Sequence, residues 1–164
     1  MTITMPWFWN KLQTIYVLRM AHNNLIGTIP NMQFKLLYRP SIDLNSNKFG
    51  GKVPLFLLQA SVLLLSSNNF SDLSSFLCGN VKAANLATLD LSYNQIKGQL
   101  PDCWKSVDQL LFLDLSSNKL TGKIPISMGT LVKLIDLRFL NTLIDYLPVM
   151  VEVNIAKCQR WLEE

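Results

Sequence analysis

Leucine and other apolar residues recur along this chain in the order L-x-x-L-x-L, and an asparagine follows three positions after the last of them. The stretch LDLSSNKLTGKIP fills residues 113–125, and LDLSYNQIKGQLP fills residues 89–101, an offset of 24. Apolar, Asn, Gly and Pro positions coincide in the two. The L-x-L alternation predicts a short β-strand with one buried face. A single strand of that length cannot cover its own apolar face. Recurrence at a fixed interval therefore predicts coils that stack, each burying the face of the next.

The prolines measure the interval. Pro6, Pro30 and Pro54 are 24 apart, Pro101 follows after 47, Pro125 after 24 and Pro148 after 23. Of the seven prolines only Pro40 falls off this ruler. The first unit reads Ile15, Leu18, Met20, Asn23, Leu25, Gly27, Ile29, Pro30. The second reads Ile42, Leu44, Asn47, Phe49, Gly51, Val53, Pro54, with Arg39 in the first apolar place. The third keeps Leu63, Leu65, Asn68 and Phe70 but loses the Gly and the Pro. The fourth and fifth are complete, around Asn94, Gly98, Pro101 and Asn118, Gly122, Pro125. The sixth has Leu134, Leu137, Phe139, Asn141, Leu143, Leu147 and Pro148. It reads as one residue short between Leu137 and Leu143, with Asp145 where Gly is expected.

Each recurring residue has a physical reason. Asn23, Asn47, Asn68, Asn94, Asn118 and Asn141 form an expected ladder. A carboxamide carries donors and an acceptor that pair with turn backbone otherwise buried without partners. Gly permits positive φ at the next bend. Pro fixes φ on the far side of the coil.

The unit L-x-x-L-x-L-x-x-N-x-L-x-G-x-I-P resembles the plant-type leucine-rich repeat. The resemblance covers roughly residues 1–148, as the end of one coil and then six coils. It implies an α/β solenoid: a right-handed superhelix of about six 24-residue repeats with a parallel β-sheet on its concave face. Residues 149–164 read as a degenerate tail, the start of a further coil that has lost its leucines. Local phrases sharpen the resemblance. PWFWNKL at 6–12, SIDLNSNKFGGKVPL at 41–55, SFLC at 75–78, PDCW at 101–104 and GKIPISMGTL at 122–131 occur in that order. Together they are similar to the ectodomain of plant receptor-like proteins, the group that includes receptors for a fungal ethylene-inducing xylanase.

That resemblance implies a peptide or protein ligand in defence signalling and a receptor-kinase co-receptor. It also implies a parent protein at the plasma membrane with its repeats outside. Such receptors carry a signal peptide, a cysteine-bearing cap, many more repeats and a transmembrane helix. None is expected within these residues. MTITMPWFWNKL lacks a basic segment followed by an apolar one. The longest apolar run, Val53–Leu65, is interrupted and shorter than the ~20 residues that span a bilayer. Membrane attachment is thus expected only through parts of the parent absent here. Two other readings stay open. One is a secreted enzyme inhibitor built from the same repeat, of the polygalacturonase-inhibiting kind. The other is a truncated gene relic, to which the losses in the third and sixth units and the tail point.

Composition narrows the chemistry. Of 164 residues, 49% are hydrophobic and 16% charged, enough to bury a core and too apolar for disorder. A net charge of +4 without a run of Lys or Arg argues against nucleic acid as a partner. Phosphate-loop, nucleophile-elbow, zinc-protease and kinase signatures are absent, so no enzyme is expected. The chain has a single histidine and no C-x-x-C, so neither a metal nor another cofactor is expected.

Residues between the inward leucines are expected to point out from the concave sheet. The ligand candidates among them are Arg19, His22, Asp43, Asp90, Tyr93, Phe112 and Asp114. Exposed aromatic, Arg and acidic groups on a rigid sheet are what a protein partner grips. The bland reading of the aspartates is that Asp-Leu-Ser is a solvated filler of the repeat. Asp90 and Asp114 are expected as neighbours on adjacent strands, yet on an open face without a second catalytic group. Cys78 lies ten residues after Asn68 and Cys103 nine after Asn94, nearly the same phase in adjacent coils. A secreted chain would bridge them; a cytosolic one would pack two thiols there. Cys158 is expected to be unpaired. The single glycosylation sequon is Asn69-Phe70-Ser71. Trp7, Phe8 and Trp9 read as packing beneath the first strand, or else as an aromatic contact patch.

Overall fold

The computed structural model describes residues 6–79 and 85–145. The chain passes through α1 (Pro6–Asn10), β1 (Val17–Arg19), β2 (Ile26–Thr28), β3 (Ser41–Asp43), β4 (Lys48–Lys52), β5 (Val62–Leu64) and β6 (Asn69–Asp72). It continues through α2 (Ser74–Leu77), β7 (Thr88–Asp90), β8 (Lys97–Gln99), β9 (Phe112–Asp114), β10 (Lys119–Lys123), β11 (Asp136–Arg138) and β12 (Leu143–Asp145). Odd-numbered strands form one six-stranded sheet in the order β1-β3-β5-β7-β9-β11. Even-numbered strands form two three-stranded sheets, β2-β4-β6 and β8-β10-β12. All the pairings are parallel, because each coil sends its strands the same way as the last. Short 3-10 turns at Leu55–Gln59, Trp104–Val107 and Ile126–Thr130 close the coils on the opposite side.

The middle residue of each concave strand lies in register with its neighbours: Leu18, Ile42, Leu63, Leu89, Leu113 and Leu137. The first five are buried. Burial of each such side chain contributes about 2 kcal/mol, and its neighbours come from the coils on either side. Behind them, the residue three places after Pro6, Pro54, Pro101 and Pro125 is buried in the core: Trp9, Leu57, Trp104 and Met128; after Pro30 the place falls on exposed Gln33. Trp9 packs edge-on against Phe8 and Phe49. The aromatic segment therefore belongs to the core at Trp9, with Phe8 packed partly against it. The Trp7 side chain, Leu147, Pro148, Cys158 and residues 149–164 lie outside what the structure describes.

Four asparagines tie coil to coil. The Asn47 Nδ2 donates to Met20 O at 2.8 Å, and its Oδ1 accepts from Leu25 N at 3.1 Å. Asn68 does the same with Leu44 O (2.9 Å) and Phe49 N (3.0 Å). Asn94 takes Leu65 O (3.0 Å) and Phe70 N (3.0 Å), and Asn118 takes Leu91 O (2.8 Å) and Ile96 N (3.0 Å). Each partner belongs to the preceding coil, so buried backbone of one coil is satisfied by the side chain of the next. Asn23 donates only within its own turn, to Met20 O and Ala21 O.

The residue before each ladder asparagine has positive φ: His22 56°, Ser46 54°, Ser67 54°, Tyr93 52° and Ser117 52°. In the sixth coil the residue with this geometry is Asn141 itself, at 57°. This corrects two expectations. Asn141 is not a rung of the ladder; it is exposed and donates weakly to Ser117 Oγ at 3.4 Å. Nor is a residue missing before Leu143. Leu137 pairs with Leu113, and Thr121 pairs with Leu143 at the same offset by which Lys97 pairs with Lys119. The rung falls instead on Thr142, whose hydroxyl donates once, to Phe139 O at 2.7 Å. Asp145 accordingly stands in the phase of Thr121 rather than of Gly122.

The third coil replaces its missing Gly and Pro by other means. Asp72 occupies the place where Gly51, Gly98 and Gly122 show positive φ. Its carboxylate accepts from Ser74 N at 2.9 Å and from Ser75 Oγ, and lies 3.6 Å from Lys52 Nζ. These bonds start the one-turn helix α2 and redirect the chain where a glycine bend did so elsewhere. Partial burial opposes ionisation of Asp72, but the Ser75 and Ser74 hydrogen bonds and Lys52 outweigh it and hold its carboxyl below the usual range.

Candidate ligand-binding surface

The alternation that buries the leucines presents two rows of side chains on the open side of the six-stranded sheet. By register, one row reads Val17, Ser41, Val62, Thr88, Phe112, Asp136, and the other reads Arg19, Asp43, Leu64, Asp90, Asp114, Arg138. Five gaps of ~4.8 Å give a face about 24 Å across. A shallow depression of about 250 Å³ lies over strands β5 to β11, floored by Leu89 and Leu113 and edged by Phe112, Asp90, Asp114 and Arg138.

The aspartates are held, not floppy. Asp90 Oδ1 accepts from Ser92 N at 2.9 Å and Ser92 Oγ at 2.7 Å. Asp114 Oδ1 repeats this with Ser116 N at 2.9 Å and Ser116 Oγ at 2.5 Å. Asp43 Oδ1 accepts from Asn45 N at 3.1 Å. Alternation along the strands would turn Ser92 and Ser116 outward, yet both are buried, with their hydroxyls spent on these carboxylates. One oxygen of each carboxylate thus fixes the strand-to-turn corner.

The aromatic candidates are open. Tyr93 is 62% exposed and Phe112 is 42% exposed. Tyr93 and His22 both stand at the positive-φ corner just beyond the strands, which turns their side chains off the sheet rim. Arg19 is exposed at the β1 edge. The candidates therefore fall into two groups. Asp90, Phe112, Asp114 and, at the rim, Tyr93 lie on or beside neighbouring strands; Asp43 lies two strands away on β3, and Arg19 and His22 three strands away at β1.

Asp136 and Arg138 were not singled out from the sequence. Arg138 Nη2 lies 2.8 Å from Asp136 Oδ2, and its Nη1 lies 4.0 Å from Asp114 Oδ2. Its guanidinium is held protonated first by Asp136 and then by Asp114 and Asp90, which raises its pKa further. Adding 24 to Phe112 and Asp114 would have found both residues.

On the opposite side, Cys78 at the end of α2 is joined to Cys103, with Cα atoms 5.2 Å apart. The bridge fastens the irregular third coil to the fourth. Ser106 Oγ reinforces it by donating to Leu77 O at 3.0 Å and Cys103 O at 2.9 Å. Among the described residues no group of three His, Cys, Asp or Glu side chains is placed to hold a metal ion. No helix among them is long and apolar enough to cross a membrane.

The leucine-rich repeat family model matches residues 85–107 and 109–131. The chain is 34% identical over 107 residues to receptor-like protein EIX2 of Solanum lycopersicum, covering 65% of this chain and 10% of that protein. It is 33% identical over 110 residues to receptor-like protein 7 of Arabidopsis thaliana, covering 62% of this chain and 10% of that one. The crystal structure of PEPR1–AtPEP1 superposes with a TM-score of 0.75 at 28% identity, over 93% of this chain and 21% of that one. The ectodomain of the receptor kinase SOBIR1 from Arabidopsis thaliana gives 0.60 at 26% identity, over 79% and 72%. The chain spans about a tenth of the length of the curated receptor-like proteins it matches. It is a plant-type leucine-rich-repeat solenoid and resembles the repeat regions of plant receptor-like proteins.

Proposed function

We propose that these leucine-rich repeats are a ligand-reading stretch of the extracellular part of a plant receptor-like protein, acting in defence signalling. The single observation that carries the reading is the stretch of the open face, drawn from both rows, around exposed Phe112 and half-buried Asp90 and Asp114. It is an aromatic and acidic patch held rigidly by Ser92 and Ser116 on a parallel sheet, over a shallow depression. A shallow open face suits an extended peptide or a protein loop better than a small molecule, which needs a deeper enclosure. The chain acts by binding rather than by catalysis. Asp90 and Asp114 lie in register, but each spends an oxygen on its own corner, and the depression brings them only Thr88 as a hydroxyl.

Two further features support an extracellular setting. The Cys78–Cys103 bridge belongs to oxidising compartments. The similar structures include PEPR1 with AtPEP1, and the receptor kinase HAESA with the peptide hormone IDA and the co-receptor SERK1. By that likeness the parent sits at the plasma membrane with these repeats outside, and a receptor kinase acts beside it as co-receptor.

The test uses the intact parent displayed on plant cells. Cells carrying it are exposed to fractionated extracellular peptides and microbial proteins, and binding is read as retained labelled ligand. Phe112→Ala and Asp90→Ala are expected to cut retention about tenfold or more each, the effect of losing an anchor residue. Retention unchanged in both variants moves the site off this face. Capture and inhibition of a secreted wall-degrading enzyme, with no co-receptor recruited, would favour the inhibitor reading.

A further inference from the structure

Asn68 and Asn69 are adjacent in the chain and opposite in the structure. Asn68 is buried, and its carboxamide is committed to Leu44 O, Leu65 O and Ser66 O at 2.9, 3.2 and 3.1 Å. Asn69 opens β6, where the strand alternation buries Phe70 and turns Asn69 outward to solvent. Its side-chain amide makes no hydrogen bond among the described residues. It heads the chain's one Asn-x-Ser sequence, with Phe70 between.

The surroundings leave room. β6 is an edge strand of its sheet, so Asn69 has a paired strand on one side only. On that side it pairs with Gly50. Equivalent places in other coils carry Ile26, Lys97 and Thr121. Gly50 does not need to be glycine for its backbone, because positive φ in this coil belongs to Gly51. A Cβ on Gly50 would already touch Asn69, at 3.4 Å from its carbonyl oxygen and 3.6 Å from its Cβ. Any longer side chain there would crowd the Asn69 amide. The glycine clears the one lateral approach that the sheet would otherwise fill.

We propose that Asn69 carries an N-linked glycan, an assignment that rests on the extracellular reading above. The transfer is to the Asn69 side-chain nitrogen, from a lipid-diphosphate-linked oligosaccharide supplied by the secretory pathway. The new bond joins that nitrogen to the first sugar's C1. The C1–oxygen bond to the diphosphate breaks, the amide gives up one proton, and the lipid diphosphate leaves. The glycan then stands on the β2-β4-β6 flank, covers the open edge of β6 and leaves the six-stranded face clear.

The test is to send the chain through the secretory pathway of plant cells behind an appended leader. The peptide containing Asn69 is then weighed before and after glycosidase release. Wild type is expected to lose mass on release, and Asn69→Gln and Ser71→Ala are expected to lose none. The Cys78–Cys103 bond, mapped on the same sample, reports folding in the oxidising lumen. A bridged, secreted protein with bare Asn69 overturns the proposal and leaves the extracellular reading standing. Glycan on Asn69 of this protein, with the tagged parent found in the cytosol of its own plant, overturns the extracellular reading instead.

Discussion

Asn94 and Asn23 hold the same place in two coils, yet the structure gives them different tasks. Asn94 is 3% exposed; it donates to Leu65 O and accepts from Phe70 N across the coil boundary, besides bonding Leu91 O and Ser92 O in its own turn. Asn23 is exposed and bonds only Met20 O and Ala21 O of its own turn. The own-turn bonds are common to both, so they shape the corner. The cross-coil bonds are peculiar to the interior, so they make stacking specific. In the last described coil even the corner is built differently: Asn141 takes the positive-φ place, and Thr142 supplies one hydroxyl where a carboxamide would supply several bonds.

The largest expected effect comes from removing an interior rung. Asn94→Ala leaves the buried Phe70 N–H without a partner and strips one of two donors from Leu65 O, which keeps Asn68. One orphaned buried group costs about 1–3 kcal/mol and each further bond lost about 1 kcal/mol, so urea unfolding should show a loss of about 4 kcal/mol. Asn23→Ala should cost about 1 kcal/mol or less, because water reaches its partners. Equal losses in the two variants would reduce the ladder to a set of independent corner caps.

The next effect asks whether rungs alone hold the irregular third coil. The Cys78–Cys103 bridge closes a loop of 25 residues between that coil and the next. Replacing both cysteines by serine should lower stability by about 3 kcal/mol, mostly by freeing the unfolded chain. A change below about 1 kcal/mol would mean that the Asn68 and Asn94 rungs and the Leu73, Phe76 and Leu77 packing already fix the junction.

The repeat made most of this fold legible. Period-2 leucines at 24-residue spacing place the concave strands, and Asn two places before a large apolar residue places the rungs. Where the sixth unit was misread, the reason is geometric. Asparagine serves both as a ladder carboxamide and as a residue that tolerates the left-handed region, and a sequence pattern does not say which role Asn141 has. The same limit applied to Ser92 and Ser116. Period-2 alternation marks them as outward, but beyond the strand end the backbone has turned, and a hydroxyl satisfies a carboxylate inside the corner. Asp136 and Arg138 follow from the repeat arithmetic once β11 is accepted as a full member of the sheet.

A smaller change should extend the ladder rather than break it. Thr142→Asn puts a carboxamide at the rung position of the sixth coil, where Leu115 O and Leu120 N are the repeat counterparts of the Leu91 O and Ile96 N that Asn118 bonds. A gain of about 1 kcal/mol in urea unfolding is expected. No gain, or a loss, would show that the corner at Asn141 has moved the backbone too far for a rung to reach.

The smallest effect separates a glycine bend from a carboxylate bend. Asp72 replaces the glycine of the third coil, and its ionised form is the one that accepts from Ser74 and Ser75. Its pKa is lowered on folding, so its contribution is present above the unfolded carboxylate value of about 4 and is lost as pH falls through the lower folded value. The group is half-buried but still reached by water, which screens it, so Asp72→Asn should cost about 1 kcal/mol or less at neutral pH. The gap between wild type and variant should narrow steadily in acid and close once Asp72 is protonated in both states. Salt should shrink it only in part, because screening reaches Lys52 but not the Ser74 hydrogen bond. A gap that persists unchanged in acid would mean that the third coil turns on the burial of Leu73 and Phe76, with Asp72 as a passive neighbour.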